Sequence, residues 1–356
     1  MPGDANGAQG ILLGMSKRTT SAVWVRGMAE MLAAEGVDVA TLFAAAGVDP
    51  ASLDGPSARL ATEKLSRLWE LAVDRTRNPA IALARHEVAR PASFDVVGYT
   101  MMSCADLRSA FERLIRYLLI LSDALTMTMT EEAGGYRIDF VLFGGDRPIP
   151  RQCIEYIFVT VVSFCRWIVR SEVSPRAVEL AYPGPADLAP YRSAFRCPVF
   201  FDAERNSLKF SRADFDLRLP TFNPQLAELH ERYAGEYLQQ FDHAQTSYRV
   251  RKAIIRGLPD GEPRRDEVAS QLHMSERTLQ RRLEEEKTSF VQLLDDTRRE
   301  LADQYLGRLH LSLAQAAYLL GFADQSSFFR ACKRWFNLSP GQYRSQLLHG
   351  TVVASS

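Results

Sequence analysis

The spacing of apolar positions changes character along the chain, and each change marks a different kind of element. Residues 1–19 are rich in Gly, Ala and Ser with no periodic stripe, so a disordered N-terminus is expected. Apolar positions at helical spacing then predict helices near 21–35, 38–46, 62–73 and 77–88, with Pro and Gly between them. A longer amphipathic helix is read over SCADLRSAFERLIRYLLIL, 103–121. Directly after it the period falls to two: Leu125, Met127 and Met129 alternate with Thr126, Thr128 and Thr130. Gly134–Gly135 and the run YRIDFVLF (136–143) complete a β-hairpin signal. A helix over about 149–170, short β-like runs at 178–182, 197–201 and 207–210, and an acidic helix over 222–241 follow. Residues 20–242 therefore read as an α+β domain.

From 243 to 348 the pattern is helical throughout and predicts an all-α domain, with a disordered tail at 349–356. A lead helix at 246–256 ends at Gly257, with Pro259 and Gly261 beyond it. Two helix-turn-helix patterns follow, DEVASQLHMSERTLQRRLEEE (266–286) and SLAQAAYLLGFADQSSFFRACKRWF (312–336). A long helix at 289–306 joins them, with Phe290, Leu293, Leu294, Leu301, Ala302 and Tyr305 on one side. A final short helix begins at Pro340. Ser312 with Gln315, and Ser339 with Gln342, have capping-box spacing; Ser275 and Asp324 can cap the second helix of each motif.

In the first motif Val268, Ala269 and Leu272 point inward and meet Leu279 and Leu283, which lie four residues apart. Arg277 and Arg281 share another face, with Gln280 between them. Guanidinium and amide groups placed there match the donor and acceptor pattern of base edges in the major groove. Arg282 turns aside and suits a phosphate. In the second motif Ala317, Leu320 and Phe322 form the inward set, facing Phe328 and Cys332, and Gly321 suits a turn of positive φ or close approach. Gln325, Ser326 and Arg330 are the base-reading candidates; Lys333, Arg334 and Arg344 are the phosphate candidates. Trp335 and Phe336 are expected to lock the final helix onto the motif. A solvated helical face laced by the Glu284–Glu286 run is the plainer reading of any one such stripe. Its repetition at a regular offset favours DNA. A joining helix of about 18 residues spans roughly 27 Å, which could place the two motifs one turn of B-DNA apart, a repeat of ~34 Å.

Charge adds little. The chain of 356 residues has no net charge, but 249–350 holds 17 Lys and Arg against 13 Asp and Glu, leaving 26 against 30 elsewhere. That excess is mild, so the placement of the arginines carries the inference. The longest apolar run, YIFVTVVSFCRWIV (156–169), is interrupted by Arg166 and reads as a core helix, so no membrane span is expected. No signal-peptide pattern begins the chain, and Cys104, Cys153, Cys165, Cys197 and Cys332 are scattered, which suits neither a disulfide framework nor a zinc site. A cytoplasmic protein is expected. None of the six histidines makes a metal-binding pair; His86-Glu87 is followed by Arg90 where a zinc motif needs its second His. Phosphate-loop and Gly-x-Ser-x-Gly patterns are missing. The expectation is no enzyme, no metal and no cofactor.

The helical region resembles the AraC/XylS family of bacterial transcriptional regulators, over about 246–346. The segment LLGFADQSSFFRACKRWFNLSPGQYR (319–344) carries the likeness most specifically, with its Gly-Phe turn, Ser-Phe helix start, basic run, Ser-Pro and Tyr-Arg. The resemblance puts the base-facing positions at Arg277 and Arg281, and at Gln325, Ser326 and Arg330. Ala316, Cys332 and Asn337 depart from the family pattern, which has a larger aliphatic residue, Phe and Gly there. The stretches 94–120 and 179–210 resemble a subgroup with an arabinose-binding-type N-terminal domain, shared with regulators similar to the ornithine-utilisation regulator.

That resemblance implies an α+β effector and oligomerisation domain followed by an all-α domain with two helix-turn-helix motifs joined by a long helix. The implied partners are double-stranded promoter DNA, a small-molecule effector, a second copy of the chain and RNA polymerase. Tyr99, Met101, Arg116, Tyr117, Tyr136 and Arg151 are the candidate effector contacts; each could instead be core or surface. A small amphipathic metabolite and a fatty-acid-like ligand both suit them. For the dimer, one candidate surface is Phe111, Leu114, Tyr117 and Leu118, and another is Leu226, Leu229 and Tyr233. A nonspecific architectural DNA-binding protein without a ligand is the alternative function.

Overall fold

The computed structural model describes residues 18–55, 57–84, 89–144, 148–239, 245–308 and 311–353. They form two compact units, 18–239 and 245–353.

The first unit opens with β1 (Thr19–Ser21), α1 (Ala22–Ala34), α2 (Val39–Ala45), β2 (Arg59–Ala61) and α3 (Thr62–Thr76). α4 (Asp95–Met102) and α5 (Leu107–Leu121) lead into β3 (Leu125–Glu132), β4 (Gly135–Leu142) and α6 (Arg151–Val169). β5 (Ala177–Glu179), α7 (Ala189–Phe195), β6 (Val199–Phe200), β7 (Asn206–Ser211), α8 (Arg212–Phe215) and α9 (Pro224–Gln239) complete it. The sheet has the order β3-β4-β7-β5-β6. Its hairpin pairs Met127 with Phe140 and Met129 with Ile138. Along β4, Tyr136, Ile138 and Phe140 are buried while Arg137 and Asp139 are half-buried, the period-two signature of a sheet with one face on the core. α6 is apolar on nearly every side. It is long and apolar enough to cross a membrane, yet 83% of its most apolar window is buried within the protein. Its length therefore serves the core.

Several elements differ from expectation, each for a stated reason. β1 and β2 form a separate two-stranded sheet, so order begins inside the expected 1–19 tail; residues 1–17 lie outside the described part. The strands are three residues long and are held by distant groups. Asp123 Oδ1 accepts from the Thr19 N–H (2.6 Å), and Arg59 donates to Thr19 Oγ1 (2.7 Å) and the Ile120 carbonyl (2.8 Å). In place of a helix at 77–88, α3 ends at Arg77 in the left-handed conformation, Pro79 follows, and one turn of 3₁₀ helix covers Ile81–Leu83; residues 85–88, including His86, lie outside the described part. α4 carries β-branched Val96 and Val97 and Gly98, a poor helical sequence. Packing explains it: a Cβ on Gly98 would sit 2.0 Å from the Pro91 carbonyl oxygen.

The second unit contains α10 (Gln245–Gly257), α11 (Arg265–Gln271), α12 (Glu276–Glu285), α13 (Phe290–Leu306), α14 (Leu313–Leu319), α15 (Gln325–Phe336) and α16 (Pro340–Val353). α16 runs past 349, where a disordered tail was expected; Gly350 alone costs a helix only about 1 kcal/mol, and no Pro follows. Residues 354–356 and His310 lie outside the described part.

Candidate nucleic-acid interface

Two helix-turn-helix pairs, α11–α12 and α14–α15, precede and follow α13 in the chain. Each second helix starts at a defined residue. The Ser275 hydroxyl accepts from the Thr278 N–H, and the Asp324 carboxylate accepts from the Ser327 N–H (2.8 Å). Bonds from Ser327 hold the Asp324 carboxyl below its ordinary pKa. Ser312–Gln315 is a reciprocal capping box, and Ser339–Gln342 exchange the same pair of bonds. Val268, Ala269, Leu279 and Leu283 bury the inside of the first pair; Leu272 is only half-buried. Ala316, Ala317, Leu320, Phe328 and Cys332 bury the inside of the second. Burial pushes the Cys332 thiol up to about 12, so it is an inert core group. Asn337 takes the left-handed cap that ends α15. Phe336 stacks on Tyr343 with centroids 3.9 Å apart, and Trp335 Nε1 donates to Asp295 (3.0 Å), which ties α15 to α16 and α13.

The turn between α14 and α15 needs glycine twice over. Gly321 has φ +67°, and a Cβ there would lie 2.6 Å from the Gly261 carbonyl oxygen and 2.8 Å from that of Leu258. Arg298 of α13 fastens this contact, a role not visible in the sequence pattern. It is buried, donates to the Leu320 (2.8 Å) and Gly321 (2.7 Å) carbonyls, pairs with Glu262 (2.9 Å) and lies 4.4 Å from the Phe322 ring centroid. Glu286 adds a second tie, accepting from the Thr246 and Ser247 N–H groups at the start of α10.

The outward faces carry the chemistry. Arg277, Gln280, Arg281 and Arg282 are all exposed on α12. Gln280 donates to Glu284 (2.9 Å) and Arg281 pairs with Glu285 (2.6 Å); Arg277 and Arg282 form no ion pair among the described residues. On α15, Gln325, Ser326, Arg330 and Lys333 are exposed, and Arg330 donates to Ser327 Oγ (3.0 Å). Two phosphate candidates, Arg334 and Arg344, also make contacts within the unit. Arg334 is paired with Asp295. Arg344 is half-buried, with a pKa lowered by desolvation, and its Nε donates to the Leu306 carbonyl at the end of α13 (3.1 Å). It satisfies an orphan helix-end carbonyl and so serves the fold.

Comparison with known proteins agrees with this geometry. Residues 268–346 match a helix-turn-helix domain, and residues 36–219, more than half of the chain, match the arabinose-binding domain of AraC transcription regulators. The chain belongs to the AraC family of transcriptional regulators. It is 28% identical over 325 residues to the ornithine utilization regulator of Pseudomonas aeruginosa, covering 90% of this chain and 95% of that one. It is 30% identical over 246 residues to the regulator VirS of Mycobacterium tuberculosis, covering 68% and 72%. Among solved structures, the transcriptional regulator CdpR of Pseudomonas aeruginosa aligns with a TM-score of 0.43 and 22% identity over 86% of this chain and 96% of that one. As an AraC-family protein, this chain is a DNA-binding transcriptional regulator.

The N-terminal candidates do not gather into one pocket. Arg116 and Tyr117 meet at Glu231 of α9, where Arg113 also pairs. Tyr99, on α4, lies 6.2 Å from the His230 ring and is exposed. Met101 is fully buried, Tyr136 stacks on Phe215 with centroids 5.0 Å apart, and Arg151 approaches Glu155 at 3.6 Å. None of the six lines the apolar cavity bounded by residues of β1, α1, α3, α5, β3, β4 and α6. Of the two dimer candidates, Phe111, Leu114, Tyr117 and Leu118 are buried inside their own unit, whereas Leu226, Leu229 and Tyr233 are 42%, 47% and 56% exposed. Among the described residues no cluster of His, Cys, Asp and Glu is suited to a metal ion.

Proposed function

We propose that this AraC-family chain reads duplex promoter DNA sequence-specifically through α12 and α15, under control of a small molecule bound in its N-terminal unit. The observation that carries the reading is the pair of capped helices with exposed arginines, α12 packed against α10 and α11, and α15 against α13 and α14. Arg277, Gln280 and Arg281 contact bases from α12; Gln325, Ser326 and Arg330 do so from α15. Arg282 and Lys333 contact phosphates. The i,i+4 bonds of Gln280 and Arg281 to glutamates hold their stems outward and are exchanged for DNA on binding. The chain acts as a regulator in the cytoplasm, with no catalytic step.

A second copy of the chain docks on α9. Its exposed stripe of Leu226, Leu229 and Tyr233 is apolar and can meet the same stripe of an antiparallel second copy. Dimerisation raises the effective concentration of the second DNA-reading unit at a repeated site.

Selection of binding sites from a random duplex library by the full chain tests the DNA reading. The expected consensus has two clusters of fixed bases about one helical turn apart. Recovery of unenriched sequence would establish a nonspecific architectural binder instead.

A further inference from the structure

We propose that the cavity at the centre of the N-terminal unit binds a small, neutral, largely apolar molecule bearing one hydrogen-bonding oxygen, of the size of a short-chain alcohol or ketone. The proposal rests on the effector-controlled reading above and gives that effector a place and a chemical class.

The cavity has a volume of about 60 Å³. Trp24, Trp69, Leu114, Leu118, Met127 and Ile157 form much of its wall, and no charged side chain reaches it. Thr20, Thr62 and Ser122 are the hydroxyl-bearing residues among those that line it. Two of them are satisfied. Thr20 Oγ1 and Ser122 Oγ bond each other at 3.1 Å, and Ser122 Oγ also donates to the Thr19 carbonyl and accepts from the Ala124 N–H. Thr62 differs. It sits on the first turn of α3, is 8% exposed, and its buried Oγ1 has no hydrogen-bond partner. A buried hydroxyl is rarely left unpaired in a native core, because it has given up water for nothing. One ligand oxygen beside Thr62 would complete it.

The same wall excludes other classes. A carboxylate, ammonium or phosphate placed there would lose its hydration with no counter-charge. A zwitterionic amino acid fails twice. A pentose carries several hydroxyls and would find one unengaged partner, so the arabinose label of the domain does not extend to this cavity. Volume sets the scale: a site of about 150 Å³ holds benzene and one of about 10–15 Å³ holds a single water. This cavity suits a ligand of roughly two to five non-hydrogen atoms.

Methyl-labelled full-length protein, titrated by NMR with 1-propanol, 2-butanone and xenon, tests the site. Saturable shifts are expected at the Met127, Ile157, Leu114 and Leu118 methyls, and none with propionate, L-ornithine or L-arabinose. Thr62→Val removes the unpaired hydroxyl at constant volume. It should weaken 2-butanone roughly tenfold, the value of one hydrogen bond near the upper end of its range, and leave xenon unchanged. Val161→Phe should fill the cavity and abolish all three; if that variant does not fold, Thr62→Val still decides. Non-saturating shifts spread over the surface, or a charged probe binding as well as 2-butanone, would overturn the proposal. DNA affinity read in parallel separates the two levels. A probe that saturates the cavity without changing DNA affinity upholds the site and removes the regulatory reading. A metabolite that changes DNA affinity without touching these methyls upholds regulation and overturns the site.

Discussion

In the proposed reading, Arg277 and Arg330 carry the reading surface at the residue scale, one on each helix. Arg277→Ala and Arg330→Ala should each cost about 1–3 kcal/mol on a selected site while affecting random duplex less; fluorescence anisotropy on both duplexes measures this. Arg344→Ala should act on stability instead, since its guanidinium holds a carbonyl of α13. Glu155 offers a pH-dependent test in the other unit. It is fully buried on α6, accepts from Tyr182 (2.7 Å) and Tyr191 through one oxygen, and leaves the other without a partner. Burial raises its pKa above the ordinary carboxylate value, against the smaller opposing effect of those bonds and of Arg151. The folded pKa exceeds the unfolded one, about 4.3. Its stabilising contribution is therefore complete below that pH and is lost as pH rises through the folded value. Glu155→Gln should flatten the fall in melting temperature as pH rises above about 4.3. An unchanged slope would remove Glu155 from the explanation.

At the scale of elements, α13 does more than separate the two motifs, because Arg298 binds the turn of the second to the loop before the first. Arg298→Met leaves two buried carbonyls unpaired and should cost about 3 kcal/mol. Lys should not rescue it, since a single ammonium cannot reproduce the forked contact. Gly321→Ala should cost a similar amount, about 1–2 kcal/mol for the left-handed backbone and about 1–3 kcal/mol for the clash. Hydrogen exchange of α14 and α15 in the full chain would report both. For α9, Leu229→Asp should convert a dimer to a monomer by sedimentation, with an unchanged sedimentation coefficient as the contrary result.

What the sequence displayed is local. The helical stripes of α10 to α15, the caps at Ser275, Asp324 and Ser312, and the alternation of the β3–β4 hairpin each sit within a few residues. What it hid depends on distant partners. α4 exists because Gly98 lets it approach Pro91. β1 and β2 exist because Arg59 and Asp123 hold them. Arg298 and Arg334 read as ordinary helical arginines until α13 and its neighbours come together. The N-terminal cavity is assembled from residues of β1, α1, α3, α5, β3, β4 and α6, a grouping that no single-element pattern displays.

For the whole molecule, the proposed reading gives one polypeptide two DNA-reading helices, with a proposed sensing unit ahead of them in the chain. Both specific and nonspecific binders respond to salt, so salt dependence does not discriminate between them. The decisive measurement is the ratio of the full chain's affinities for its selected duplex and for a scrambled duplex of equal composition, at matched near-physiological salt. A ratio of roughly 10³ or more is expected of base reading through α12 and α15. A ratio near one would contradict it.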